Sequence, residues 1–205
     1  VGRYLYTSSI GVYNPREIFR EDEAWDGPPH YTDRFAGWAK RMGELQAEAY
    51  QVEYGWDQIA VVRPANVYGP YDNFDPNTAM VVPAIISRVA TGENPLIVWG
   101  DGSAIRDFIY SRDCAEGMLL AFEKSADCSP INLGSGTGTS IKQVVDAVVG
   151  CFDEPPQVQW DTSQPSGQSV RLMDITRAKE KIGFSPQTSI EQGIEQTVEW
   201  YRTHL

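Results

Sequence analysis

The sequence predicts an α/β fold, and three observations carry that expectation. The run Ile59-Ala-Val-Val62 is apolar and rich in β-branched residues, and it breaks at Pro64, Asn66 and Gly69. That is the pattern of a buried parallel strand leaving its sheet at the carboxyl end. A helical stretch from about Asp33 to Tyr54 precedes it. Beyond it, short strand-like and helix-like segments alternate, as they do in this class.

Arg3-Tyr-Leu-Tyr6 reads as a strand running into the loop Thr7-Ser-Ser-Ile-Gly-Val-Tyr13. The polar, proline-rich segment from Asn14 to Tyr31 reads as an exposed loop. The helix that follows takes Asp33 as its N-cap and stops at Gly55. It carries a large apolar stripe, Trp38, Met42, Leu45, Ala49 and Val52, and a small-residue stripe, Ala36, Lys40, Gly43 and Ala47. The second stripe permits close backbone approach, and its lysine is out of place on a packing face. Next come a helix from about Ala79 to Ala90 containing Pro83, strands at Leu96-Ile-Val-Trp99 and Asp107-Phe-Ile-Tyr110, and a helix from Arg112 to Lys124. A strand at Pro130-Ile-Asn-Leu133 leads into Gly134-Ser-Gly-Thr-Gly138. That run is Gly-x-Gly-x-Gly, not a dinucleotide or Walker pattern, and reads as a structural turn. A helix from Ser140 to about Cys151, a strand at Val158-Gln-Trp160, a polar loop to Val170, and helices near Thr176–Ile182 and Ile190–Thr203 complete the chain.

With 205 residues the chain can build a real core, and it has no apolar run of the ~18 residues a membrane span needs. A net charge of −11 argues against a general nucleic-acid binder, which needs a basic face for phosphates. A few arginines still suffice for a small phosphorylated ligand. Cys114, Cys128 and Cys151 match no zinc pattern or disulfide framework and read as buried free thiols of a cytoplasmic protein. With only His30 and His204, neither a histidine metal site nor a Ser-His-Asp triad is expected.

Open α/β sheets bind ligands at the carboxyl ends of their strands, so Arg63 to Pro76 is a candidate site. Three elements occur in order: Thr7-Ser-Ser9 after a strand, Lys40 on a helix, and Pro64-Ala-Asn-Val-Tyr-Gly-Pro70 after the next strand. Together with Trp99-Gly-Asp-Gly-Ser-Ala-Ile-Arg-Asp-Phe-Ile-Tyr110, Asp113 and Ile131-Asn-Leu-Gly-Ser135, they resemble the extended short-chain dehydrogenase/reductase superfamily of nucleotide-sugar epimerases, dehydratases and reductases. Gly69 to Pro76, Val82-Pro-Ala-Ile-Ile86 and the segments Asp161–Gly167 and Val170–Asp174 look most like the GDP-L-fucose synthases within it.

The resemblance implies a partial Rossmann-type nucleotide domain at residues 1–70. Residues 71–205 would be mainly a smaller α/β substrate-binding region, with segments returning to the first. The Gly-x-x-Gly-x-x-Gly half of the nucleotide domain is expected upstream of Val1, outside this chain. The implied activity is epimerisation or reduction of a nucleotide-diphosphate sugar, a GDP-4-keto-6-deoxyhexose by this likeness, with NADP or NAD. Ser9 would hydrogen-bond the reacting sugar oxygen, and Lys40 would hold the nicotinamide ribose and lower the pKa of a catalytic tyrosine. Thr7, Ser8, Pro64, Ala65 and Val67 would border the cofactor. Asn66, Trp99, Arg106 and Arg171 would face the substrate, the arginines as forks on its diphosphate. For Arg106 a structural ion pair, and for Trp99 a core position, remain open. A homodimer through the helix bearing Lys40 is also implied.

Three positions depart from the pattern. The family's Tyr-x-x-x-Lys becomes Ala36 before Lys40, Gly11 replaces an acid/base cysteine, and Tyr71 replaces a histidine. Ile10-Gly11 also lacks the Asp-Glu of the dehydratases. Tyr71 or Tyr31 is then left to supply a proton, or the protein binds nucleotide sugars with little redox activity.

Overall fold

The computed structural model describes residues 1–164 and 167–204. Its centre is β3 (Ile59–Pro64), buried at every residue. In parallel, β3 pairs with β1 (Tyr4–Thr7) on one side and β7 (Asp127–Leu133) on the other. Helices α1 (Arg34–Tyr54) and α3 (Ser111–Lys124) both pack on this sheet, which is why β3 reads as a continuous apolar run.

A second sheet runs β2 (Ile18–Phe19), β10 (Val170–Met173), β6 (Ile105–Tyr110), β4 (Asn66–Tyr68), with β8 (Gly138–Ser140) antiparallel to β6. β5 (Leu96–Trp99) and β9 (Val158–Asp161) form a parallel pair. Helices α2 (Val81–Ala90), α4 (Ile141–Val149) and α5 (Ile190–His204) complete a core around Val82, Ile86, Leu96, Val144 and Ile194. A π-helical turn spans Ala178–Ile182. The α/β expectation holds, and so does the turn at 134–138: the buried Asp107 carboxylate accepts hydrogen bonds from Ser135 N (2.7 Å), Ser135 Oγ (2.8 Å) and Gly136 N (3.3 Å).

The segment from Asn14 to Tyr31 is not an exposed loop. Phe19 and Ala24 are buried in the core, and Leu172 of β10 pairs with Ile18. Arg41 of α1 explains the attachment: its Nε donates to Val12 O at 2.8 Å, and its Nη2 to Gly27 O at 2.7 Å and to Ala24 O. The Trp25 and Trp38 rings lie 4.9 and 5.0 Å from its guanidinium carbon. A helical arginine is usually solvated, so its sequence gives no sign that it nails down a neighbouring segment.

The stripes on α1 are also corrected. Its buried residues are Gly37, Arg41, Glu44 and Ala47, while Trp38, Met42, Leu45 and Val52 are exposed. Gly43 and Ala47 face the chain's own sheet and Gly37 the turn after β1: a Cβ on Gly43 would lie 2.1 Å from the Tyr6 hydroxyl, and one on Gly37 2.3 Å from Gly11 O. That face is therefore covered within the chain itself.

Of the three free cysteines only Cys114 is buried, Cys128 and Cys151 being half-buried, and burial pushes the Cys114 thiol up to about 11. Thiol reagents at neutral pH should therefore leave Cys114 unmodified until the protein unfolds, a result peptide mass mapping checks directly.

Candidate active site

β1 and β3 end at the same edge, with Thr7 opposite Val62. Ser8 N donates to Val62 O at 2.7 Å and Ala65 N to Leu133 O at 2.8 Å, so both loops leave the sheet side by side. Ser9 then turns the chain, its Oγ accepting from Gly11 N at 3.1 Å and capping a 3-10 turn at Ile10–Val12. That bond uses a lone pair and leaves the hydroxyl proton of Ser9 to donate elsewhere.

Between these loops, the start of α1 and the first turn of α2 lies a cavity of about 390 Å³. Ser8, Ser9, Pro64, Ala65, Asn66, Val67 and Arg171 all line it, so seven of the sequence's site candidates are brought together. Pro83 also lines it, in the first turn of α2 where a missing N–H costs nothing. Ser8 is 3% exposed and its Oγ has no protein partner among the described residues. A hydroxyl in this position can donate to and accept from a bound ligand or water.

Thr7 and Lys40 stand outside the lining, joined by the Lys40 Nζ donation to Thr7 O at 2.9 Å. This contact is why a lysine sits on the small-residue face of α1. Asn66 Nδ2 is engaged with Asp107 O at 2.7 Å, which fixes the amide plane at the cavity wall.

Arg106 lies opposite Arg171 in the β6–β10 ladder, and both border a second, more open cavity of about 640 Å³ with His30, Tyr31 and Thr32. Arg106 Nη1 donates to Ile105 O at 2.8 Å and Gln168 O at 2.7 Å. Burial, and then the Arg171 charge beside it, lower the Arg106 pKa. Two guanidiniums sharing one space favour an anion between them. Of the segment 161–167, Pro165 and Ser166 lie outside the described residues.

Beyond Thr7 and Lys40, two more expected residues border neither cavity. Trp99 is 65% exposed at the end of β5, opposite Asp161, and is no core residue. Tyr71 is 83% exposed, with a φ of 66°. Its ring packs on Trp200 at 4.8 Å, in an aromatic group with Phe74 and Tyr201. The pair at α5 holds Tyr71 away, and no local pattern in the sequence announces so distant a contact. Tyr71→Phe should leave turnover unchanged, which steady-state kinetics will show. Tyr31 is likewise exposed, with its ring on His30 at 4.4 Å.

Asp33 is a site residue whose second role the sequence did not show. It is the N-cap of α1, as expected, yet it makes no side-chain cap bond and accepts instead from Arg171 Nη2 at 2.9 Å. It lines the first cavity with Ala36. The signal was its position three residues before Ala36, which places both on one helix face.

A family model described as NAD dependent epimerase/dehydratase family matches residues 1–134. The probable GDP-L-fucose synthase 1 of Oryza sativa subsp. japonica is 31% identical over 208 residues, covering 98% of this chain and 62% of the relative. The dTDP-4-dehydro-6-deoxy-D-allose reductase of Streptomyces bikiniensis is 32% identical over 206 residues, covering 100% and 62%. Among solved structures, a GDP-L-fucose synthetase from Naegleria fowleri superposes with a TM-score of 0.90 at 26% identity, covering 98% of this chain and 66% of that one. The same protein bound to NADP gives 0.88. The chain thus spans 62% of the length of these curated relatives.

Proposed function

The chain belongs to the NAD-dependent epimerase/dehydratase family, and on that premise we propose that it is part of an enzyme that epimerises or reduces a nucleotide-diphosphate sugar. The observation that carries this is the convergence of Ser8, Ser9, Asn66 and Arg171 on one cavity at the carboxyl ends of β1 and β3. The substrate is a 4-keto-6-deoxyhexose on a nucleotide, GDP by the likeness of the Gly69–Pro76 loop. Its diphosphate fits the space shared by Arg106 and Arg171, and its sugar the cavity beyond Arg171.

The residues present fit a nicotinamide dinucleotide, NADP or NAD. The orphaned Ser8 hydroxyl, the remaining ammonium hydrogens of Lys40 and the apolar wall of Pro64, Ala65 and Val67 are the donor set and surface such a group uses. When bound it supplies hydride transfer. The chain's own part is to hold the sugar oxygen with Ser9 and to fix the diphosphate with two arginines.

The test is the full-length protein incubated with NADPH and a panel of 4-keto GDP-, dTDP- and UDP-sugars, with products read by mass spectrometry. Conversion of at least one is expected, and no conversion of any overturns the proposal. Ala36 favours a second reading, a nucleotide-sugar-binding homologue with little redox activity, because the cavity wall there carries no hydroxyl.

A homodimer through α1 would use the exposed apolar face of Trp38, Met42 and Leu45. Leu45→Arg should then halve the mass seen by light scattering, whereas an unchanged mass would count against the dimer.

A further inference from the structure

The geometry points to Asp33 as the proton-transfer group of this site, acting on a carbon next to the sugar ketone. This rests on the proposed nucleotide-sugar function. Three observations carry it. First, Asp33 is the one carboxylate among the described residues that line the cavity. Second, its Oδ2 is fixed by Arg171 at 2.9 Å, while no described hydrogen bond reaches Oδ1. The carboxylate is therefore oriented but not consumed. Third, a Cβ placed on Gly11 would lie 3.5 Å from both Ser9 Oγ and Asp33 Cβ, and 3.8 Å from Asp33 Cγ. Hydroxyl and carboxylate thus flank one small space, which Gly11 and Ala36 leave open.

That pairing suits enolisation. The Asp33 carboxylate takes the proton from the carbon beside the ketone, and the C–H electron pair forms the C=C bond. The ketone oxygen becomes an enolate oxygen, which the free Ser9 proton hydrogen-bonds. Return of the proton from Asp33 restores the ketone, and delivery from solvent to the other face inverts the carbon. No oxidant or reductant is consumed.

The test is deuterium uptake from heavy water into a 4-keto nucleotide sugar by the full-length protein, without reduced nicotinamide, read by mass spectrometry and proton NMR. The native protein should exchange hydrogen next to the ketone. Asp33→Asn should slow exchange on the order of 10²–10⁴-fold, the usual loss for a removed general base. Asp33→Ala should regain exchange with added formate, a rescue that a purely structural role would not give. Calorimetry with the nucleoside diphosphate confirms that the variants are folded and still bind. Native exchange that persists in Asp33→Asn overturns the role of Asp33 alone. Conversion of a sugar by the native protein without any exchange also overturns it, and absence of both overturns the function proposal with it.

Discussion

Glu44→Ala should cost about 3–5 kcal/mol of folding stability, the usual penalty for stranding one partner of a buried ion pair. Arg63 is 1% exposed, and its Nε and Nη2 donate to Glu44 Oε1 and Oε2 at 2.9 and 2.6 Å. Its Nη1 reaches the Tyr13 hydroxyl at 2.9 Å and Glu21 O at 2.8 Å, and Tyr13 in turn donates to Asn132 Oδ1 at 2.6 Å. Four of its five N–H donors are placed by these bonds, so removing Glu44 strands two of them and takes the bidentate partner from a buried charge. In a chain of this size the loss corresponds to roughly 6–20 °C in melting temperature. The paired change Glu44→Leu with Arg63→Met removes both charges and should recover most of the loss, because an apolar replacement of a buried pair is often close to neutral. Urea unfolding of the three proteins checks this. A single variant as stable as the native protein would mean that water reaches Arg63.

Ala36→Tyr should raise nicotinamide-dependent reduction of a 4-keto nucleotide sugar on the order of 10²–10⁴-fold, the contribution of a placed general acid. Ala36 is exposed on α1 and lines the cavity one helical turn before Lys40. A phenol there would sit near the Lys40 ammonium, whose charge favours its ionised form. Consumption of the reduced nicotinamide, followed by absorbance, measures the gain. No gain would place the reacting oxygen away from this wall, whatever the sugar.

Much of this site was legible. The break after Val62 and the Ser-Ser turn after β1 are local signals, and they announce the two loops that form the cavity. The long helix was legible in extent but not in orientation. Its buried face holds Arg41 and Glu44, and charged residues disclose their partners only once Val12, Gly27 and Arg63 are in place. β2 and β10 were illegible for a related reason. A two-residue strand has no periodicity, and Ile18 meets Leu172 across most of the chain. Arg63 opened the segment that pointed to a ligand site, yet it is a structural residue. Pro64, Ala65, Asn66 and Val67, just after it, are the ones that reach the cavity.

The most direct test of the nucleotide-sugar site is calorimetry on the native protein and on Arg171→Gln, titrated with the sugar nucleotide that gives turnover. Arg171 borders both cavities and orients Asp33, so one side chain joins the proposed diphosphate and sugar positions. Saturable binding that weakens about 10–100-fold in the variant is predicted, the worth of a charged hydrogen bond at 1.5–3 kcal/mol. Equal affinity in the two proteins would contradict the assignment.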